Sequence, residues 1–411
     1  MESKKIYAIV AVIIVVVAAV AIAVSMSGGD KETDAVSGTS IIGRVNTDGS
    51  GIFVKEGVNG EDYATISTTQ PTSGYYLGED GCYVVFNKDA WAGSVFGVPA
   101  TSSIQYIQLG EIATLLGLNY QLYVAGQTTS SDTLYYVANV ASYSSFESTL
   151  NSTPAMVGAI MWEPQYSIAL LDNCDKVATT NEMFPGHTCC IIGASNEYIT
   201  SHTDETVRFL AAYVETVQKM NEVIAAGSGE EYDQLIQVAM DNVAMAGLTD
   251  EQKKEAIEAA FELVVYTYAD NTSSDPLSDL KDDVAELAVS LYEAGAMRNS
   301  YSDLGFSSAS ALADAFVDSS YMASALNYTK QSSYETANIT VAVIGGDIHQ
   351  LAIHYGIALG IFAEYGINVT LSSQSAGPTV YNAVNVGEAD IGFLGAPPMT
   401  INAMNNGDIK A

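Results

Sequence analysis

The order of strand-like and helical stretches is the strongest constraint that this sequence places on its fold. Residues 96–175 alternate between strand-like and helix-like pieces, residues 203–316 are helical throughout, and residues 338–411 return to strand–helix alternation. Such alternation is typical of an α/β lobe with a largely parallel sheet. Because a second α/β stretch follows the helical region, one simple α/β domain read in chain order does not account for the sequence.

The N-terminus carries a long apolar run. Residues 6–26 are 21 almost uninterrupted apolar residues, and about 20 span a bilayer core. Two lysines precede the run and acidic residues follow it, so the positive-inside bias places residues 1–5 in the cytoplasm. We expect a single-pass membrane anchor over 6–26, a flexible linker over 27–40, and an extracytoplasmic remainder. A cleavable signal peptide is the competing interpretation, although its apolar region is usually about 7–15 residues long.

Composition narrows the possible partners. Lys and Arg total 15 and Asp and Glu total 48, which gives a formal net charge of −33 and argues against a nucleic-acid partner. Four cysteines are too few for a disulfide scaffold and lack zinc-ligand spacing, so no metal site is expected. Cys82 and Cys174 could pair outside the cell. The adjacent Cys189 and Cys190 should point to opposite faces of a strand, which disfavours a disulfide between them.

Two stretches near the end of the chain resemble one protein family. They are GIFAEYGINV at 360–369 and VGEADIGFLGAPP at 386–398. Both are similar to the opening of the extracytoplasmic solute-binding proteins of ABC importers, in the branch for nitrate, sulfonates, taurine and thiamine precursors. FGVPATSS at 96–103 and WEP at 162–164 resemble the second lobe of the same family, and residues 203–297 resemble its helical region.

The family's segments stand here in a rotated order. The segment that opens the family lies at 338–411, and those that follow it lie at 41–330. We therefore expect a circular permutation in which residues 318–337 form the new connection, since domain termini often lie close together. A fragment of a tandem duplication is the alternative.

The resemblance implies an α/β fold of two lobes, like the type II periplasmic binding proteins, with the ligand between the lobes. The expected division assigns part of lobe I and an insertion to 41–95, and lobe II to 96–179. It assigns a return strand, the helical region and the connection to 180–337, and the rest of lobe I to 338–411.

Candidate ligand-binding residues follow the predicted strands, because ligands of open α/β sheets bind beyond the carboxyl ends of strands, near helix N-termini. They are Gly346, Asp347, His349 and Gln350; Gln374, Ser375 and Gly377; Gly395, Ala396 and Pro397; Thr101, Ser102 and Ser103; and Trp162 and Glu163. Each has a structural alternative: the hydroxyls as helix N-caps, Trp162 as core, Glu163 as an ion-pair or capping group, and His349 as a surface residue.

The candidate loops contain neither Lys nor Arg. A sulfonate or nitrate-like oxyanion would then be bound by amides and hydroxyls, whereas a pyrimidine-like or amine-bearing ligand could lie against Trp162 and Tyr355. The resemblance implies capture of a small molecule for an ABC permease, with neither catalysis nor a cofactor. A membrane-tethered ligand sensor and a fragment that binds nothing are the alternatives.

Overall fold

The computed structural model describes residues 38–78, 81–270 and 274–409. The expected anchor over 6–26 and almost all of the expected linker lie outside the described residues. Within the described ranges, no helix combines the length and the apolarity that a membrane span requires.

The described chain folds into fifteen strands and sixteen α-helices. The strands are β1 (Thr39–Asp48), β2 (Ser50–Val54), β3 (Ala64–Ser67), β4 (Tyr75–Leu77), β5 (Tyr83–Phe86), β6 (Val95–Gly97), β7 (Asn119–Leu122), β8 (Thr133–Val137), β9 (Met156–Trp162), β10 (Asp175–Thr179), β11 (Thr188–Ser195), β12 (Val264–Tyr266), β13 (Ala337–Ile344), β14 (Ile367–Gln374) and β15 (Ile391–Gly395). The helices are α1 (Lys88–Trp91), α2 (Ile104–Leu115), α3 (Tyr143–Ser152), α4 (Gln165–Leu171), α5 (Thr180–Met183), α6 (Asn196–Ser201), α7 (Thr203–Ala226), α8 (Glu230–Asn242), α9 (Asp250–Leu263), α10 (Ser278–Glu293), α11 (Ala309–Phe316), α12 (Ser319–Leu326), α13 (Leu351–Ala358), α14 (Ile361–Glu364), α15 (Gly377–Asn385) and α16 (Ala396–Asn406).

Lobe I is built on a six-stranded sheet in the order β12-β1-β11-β15-β13-β14. Strands β13, β14 and β15 are parallel, as the strand–helix alternation of the last segment predicts. Strand β11 pairs antiparallel with both β15 and β1, and therefore joins the two ends of the described chain into one sheet.

Lobe II is built on a second six-stranded sheet in the order β10-β2-β9-β6-β8-β7. The chain passes from lobe I to lobe II between Asp48 and Ser50, and returns through residues 180–187. Residues 50–54 therefore belong to the sheet of lobe II, although the sequence had assigned 41–95 to lobe I and an insertion. The mixed α/β class expected from the sequence is confirmed by these two sheets.

The helical region packs against lobe I. Helix α7 buries an aromatic face against lobe I: the ring centroids of Tyr213 and Phe393 of β15 lie 5.3 Å apart, and those of Phe209 and Phe362 of α14 also lie 5.3 Å apart. Helix α9 begins with a capping box: the Thr249 hydroxyl accepts from the amide of Gln252, whose side chain accepts from the Thr249 amide.

Residues 64–86, within the stretch expected to contain an insertion, form a separate three-stranded sheet in the order β3-β5-β4. Trp91 attaches this sheet to lobe II. Its indole stacks on Phe96 with ring centroids 4.7 Å apart, and its Nε1 donates to the Tyr63 carbonyl at 2.9 Å.

The two ends of the described chain are neighbours. A Cβ atom on Gly38 would overlap the carbonyl oxygen of Asp408. Ala411, whose distance from Ile41 bears on the permutation, lies outside the described residues. In the proposed connection, the Lys330 ammonium contacts carboxylates of Glu215 and Glu364, and the Tyr334 ring stacks on Tyr365.

Candidate functional site

The carboxyl ends of the parallel strands in both lobes lead towards the two crossings. Trp162, at the end of β9, pairs with Ser50 just after the first crossing. Gly395, at the end of β15, pairs with Cys190 just after the second crossing. The predicted loops of the two lobes therefore flank one interlobe cleft, which is where open α/β sheets bind ligands.

At the first crossing, the backbone carbonyl of Gly49 contacts groups of both lobes. The Gly49 oxygen accepts the Glu163 amide of lobe II at 2.9 Å, and it lies 3.1 Å from Nε2 of His349 in lobe I. His349 Nδ1 lies 2.9 Å from the Asp347 carboxylate. A His349 ring that donates from both nitrogens satisfies both contacts, so this side chain ties lobe I to the crossing.

Two titratable groups at this junction have shifted pKa values. Burial opposes protonation of His349, but the Cys189 sulfur and the Asp347 carboxylate outweigh it and raise the pKa of His349 to about 9. Burial raises the pKa of Glu163 to about 7, although hydrogen bonds from the Ser167 hydroxyl and amide favour the carboxylate. Glu163 therefore caps the first turn of α4 and is fully buried, as the structural alternative anticipated.

The cysteine pair departs from the sequence expectation. The sulfurs of Cys189 and Cys190 lie 3.8 Å apart, on the same side of β11. Residues Asn46 and Thr47 pair with Cys190 and Thr188, so Cys189 is an extra, bulged residue. A bulge interrupts the alternation of side chains on which the expectation of opposite faces rested. Cys174 forms no disulfide, and its thiol donates to the Tyr143 hydroxyl at 3.8 Å.

A loop of the helical region crosses the cleft. We call residues 243–248, between α8 and α9, the strap. The Ala244 amide donates to the Gly346 carbonyl of lobe I at 2.9 Å. The Ala244 carbonyl accepts from Gln165 Nε2 of lobe II at 3.3 Å. One residue of the strap is therefore held by both lobes.

Two spaces flank the strap. On the lobe I side, a groove of about 550 Å³ is lined by residues 241–244, 345–346 and 373–375. On the lobe II side, a cavity of about 510 Å³ is lined by Ser142, Tyr143, Ser144, Glu147, Gln165, Ile168, Leu171, Asp172, the strap residues 244–248 and Gln252. Ligand pockets usually measure roughly 300–1,000 Å³. Neither set of lining residues contains Lys or Arg.

The structure divides the predicted site residues into groups. Gly346, Gln374 and Ser375 line the groove on the lobe I side. The residues closed off in the interior are His349, Gln350, Glu163, Gly377, Ala396 and Pro397, and those partly or fully exposed are Asp347, Gly395, Trp162, Thr101, Ser102 and Ser103. Ser103 is the N-cap of α2 and accepts the Tyr106 amide, which is its structural alternative.

Sequence reasoning missed the strap and the lobe II wall of the cavity. The strap follows no strand, so the rule that selected the loops could not select it. Its signal was a turn containing Gly247, which has a φ of +86°, between two strongly helical stretches. Among the described residues, no group of three or more His, Cys, Asp or Glu side chains could hold a metal ion.

Comparison with known proteins gives little further guidance. No protein-family profile matches the chain, and no curated protein matches it. The chain is similar to the zinc-bound ligand-binding component of an ABC-type import system from Staphylococcus aureus, with a TM-score of 0.37 and 11% identity. The similarity covers 65% of this chain and 71% of the other. At this TM-score it fixes neither fold nor function, and both rest on the chain's own geometry.

Proposed function

We propose that this chain is a membrane-anchored, extracytoplasmic solute-binding protein, which captures a small molecule between its lobes and delivers it to an ABC permease. The observation that carries the proposal is the strap, because Ala244 is hydrogen-bonded to both lobes between two spaces large enough for a ligand. Two lobes joined by two crossings can close on a ligand by a hinge motion. The crossing at Gly49, with a φ of +87°, is a suitable hinge.

The sheet order supports a circular permutation as the origin of the chain. Strands β13, β14 and β15 share a sheet with β1 and β11, and Gly38 contacts Asp408. The N-terminal end before Gly38 could be joined to the C-terminal end after Asp408, and the chain could be opened between 318 and 337. Every strand pair of lobe I would then stay in place. A circular permutation predicts that the two ends of the chain lie close together, whereas a fragment of a tandem duplication makes no such prediction.

Binding without catalysis fits the side chains at the junction. The arrangement closest to a catalytic triad is Cys189, His349 and Asp347. However, Nε2 of His349 faces the Gly49 carbonyl, so a general base for Cys189 is not positioned. The linings of both spaces include carboxylates, among them Glu147, Asp172 and Asp241, and no cationic side chain. We therefore favour a neutral or cationic solute over a nitrate-like or sulfonate oxyanion.

Thermal unfolding of the full-length protein against a panel of solutes tests the proposal. The panel contains amines, aminopyrimidines, taurine, other sulfonates and nitrate. A solute present at 100 times its dissociation constant should stabilise the protein by about 2.7 kcal/mol. We expect a saturable shift with one chemical class, and a smaller shift in Gln165→Leu, which loses the hydrogen bond to the strap.

The matched control is Gln121→Leu, on the exposed edge strand β7 of lobe II, which should respond like the parent protein. A shift of equal size in the parent, Gln165→Leu and Gln121→Leu would place the solute away from the strap. No shift with any class in the panel would contradict solute capture of the kind proposed.

A further inference from the structure

A further cavity lies beside the second crossing. It measures about 260 Å³ and is formed by α2 of lobe II, residues 184–188 of the second crossing, and α10 of lobe I. It shares no lining residue with the cavity and groove that flank the strap. It is therefore a separate candidate site to which both lobes contribute.

The wall of this cavity contains polar atoms without a partner. Gln108 lines the cavity and is 2% exposed, and neither its amide nitrogen nor its amide oxygen has a hydrogen-bond partner among the described residues. Nε2 of His187, a second lining residue, is also buried without a hydrogen bond there. Buried polar groups in folded proteins are nearly always paired, so these atoms suggest that a partner is missing.

The charges around the cavity are unbalanced. Glu111 of lobe II and Glu286 of lobe I both line it, whereas no Lys or Arg does. Burial, and then the charge of Glu286, raises the pKa of Glu111 to about 7, while His187 lowers it. The other lining acid, Asp283, already contacts the Arg44 guanidinium at 3.0 Å and accepts a hydrogen bond from Thr188. Nδ1 of His187 lies 3.4 Å from Asp48.

The remaining wall is apolar. Ile104, Ile107, Phe184 and Leu287 line the cavity beside the two glutamates. We propose that this cavity binds a small organic monocation, with an ammonium group between Glu111 and Glu286, a hydrogen bond to Gln108, and an apolar body against Ile107 and Leu287. Because the two glutamates belong to different lobes, the bound cation links α2 to α10 across the hinge.

The test uses benzylamine as the probe and benzyl alcohol as its neutral counterpart, each titrated calorimetrically into the full-length protein at pH 8. We expect saturable, one-to-one binding of benzylamine in the millimolar range and none of the alcohol. Glu111→Gln should weaken binding about tenfold, because it removes one charge from the ammonium site. Gln108→Leu should weaken it by a smaller factor.

The matched control is Glu222→Gln, an exposed acid on α7 outside the cavity, which should bind benzylamine like the parent. Thermal unfolding of each variant separates a lost site from a lost fold. Q108L provides a second test should E111Q unfold, because it replaces an unpaired buried amide by an apolar side chain of similar size. Absence of saturable binding, or binding of equal strength in the parent and the folded cavity variants, would overturn the proposal.

Discussion

The two lobes differ in how the chain builds them. The sheet of lobe II is formed entirely from residues 50–179, so one continuous stretch of the chain supplies all of its strands. The sheet of lobe I takes strands from four separate parts of the chain, and Cys190 of β11 pairs with Gly395 of β15. Contacts between distant residues are costly to form because a long loop must close first. Lobe I should therefore depend on both ends of the chain, whereas lobe II should tolerate their loss.

The largest expected effect tests that dependence. Ending the chain after residue 336 removes β13, β14 and β15, so α7 loses the sheet and aromatic rings on which it packs. We expect lobe I to lose cooperative unfolding and lobe II to keep its protease-resistant core, as measured by circular dichroism and limited proteolysis. A truncated chain that unfolds like the full-length protein would contradict the comparison.

A repermuted chain is the matched control for the truncation. In this chain, residues 1–37 are followed by Ser333 and the rest of the sequence to residue 409. A short linker then joins residue 409 to Gly38, and the new chain ends at Ser332. Every strand pair survives, and the new opening lies between exposed residues. We expect its free energy of unfolding to stay within about 2 kcal/mol of the parent. Loss of folding would argue against the proposed permutation.

The next effect compares two glycines. Gly49 and Gly57 have φ values of +87° and +81°, so alanine is strained at both. At Gly49 a Cβ atom would also lie 2.7 Å from Nε2 of His349, whereas at Gly57 it meets nothing within 4 Å. We expect Gly49→Ala to cost about 3 kcal/mol and Gly57→Ala about 1 kcal/mol in urea unfolding. If both substitutions lowered the free energy of unfolding equally, the contact between His349 and the crossing would contribute no stability.

The buried carboxyl of Glu163 predicts a pH dependence. Its pKa is raised from 4.5 to about 7 in the folded state. The folded protein therefore favours the neutral carboxyl, and this stabilisation is complete below pH 4.5 and is lost as the pH rises through 7. Glu163→Gln cannot ionise and should be more stable than the parent at pH 8, by about 3 kcal/mol, but not at pH 4.

Unfolding titrations across this pH range measure the difference. Gln keeps an acceptor for the Ser167 hydroxyl, so the variant changes the charge without removing that hydrogen bond. A constant difference between the two proteins at all pH values would show that the Glu163 carboxyl does not titrate with a raised pKa.

The smallest expected effects distinguish a serine that caps a helix in lobe II from a serine that lines the groove in lobe I. Ser103 caps α2 of lobe II, so Ser103→Ala should cost about 1 kcal/mol and leave solute affinity unchanged. Ser375 of lobe I is exposed and lines the groove beside the strap. Ser375→Ala should leave stability within about 0.5 kcal/mol and change affinity instead. The reverse pattern would place the solute at the α2 loop.

Much of the fold could be predicted from local pattern. The alternation at 338–411 corresponds to β13, β14, β15 and their helices, and the strand expected around Cys189 and Cys190 is β11. The capping box before α9 is also a local pattern, because capping depends only on residues three positions apart. The two-lobe expectation came from resemblance rather than from pattern, since spacing along the chain does not report which strands share a sheet.

Less of the candidate site could be predicted, because the positions of its side chains depend on burial and on irregular backbone. His349 was placed in the right loop, but its complete burial against Gly49 depends on a crossing 300 residues away. The bulge at Cys189 adds a residue that no alternation rule anticipates. The strap is a turn between α8 and α9, and local sequence spacing does not report that it lies beside Gly346.

The central claim is that two lobes close on a small solute. Paramagnetic labels at Ser131 of lobe II and Asn368 of lobe I, both exposed, would report the distance between the lobes. We predict that a solute which raises the melting temperature also narrows and shortens the distribution of this distance. A solute that binds and stabilises the protein while leaving the distribution unchanged would contradict capture between the lobes.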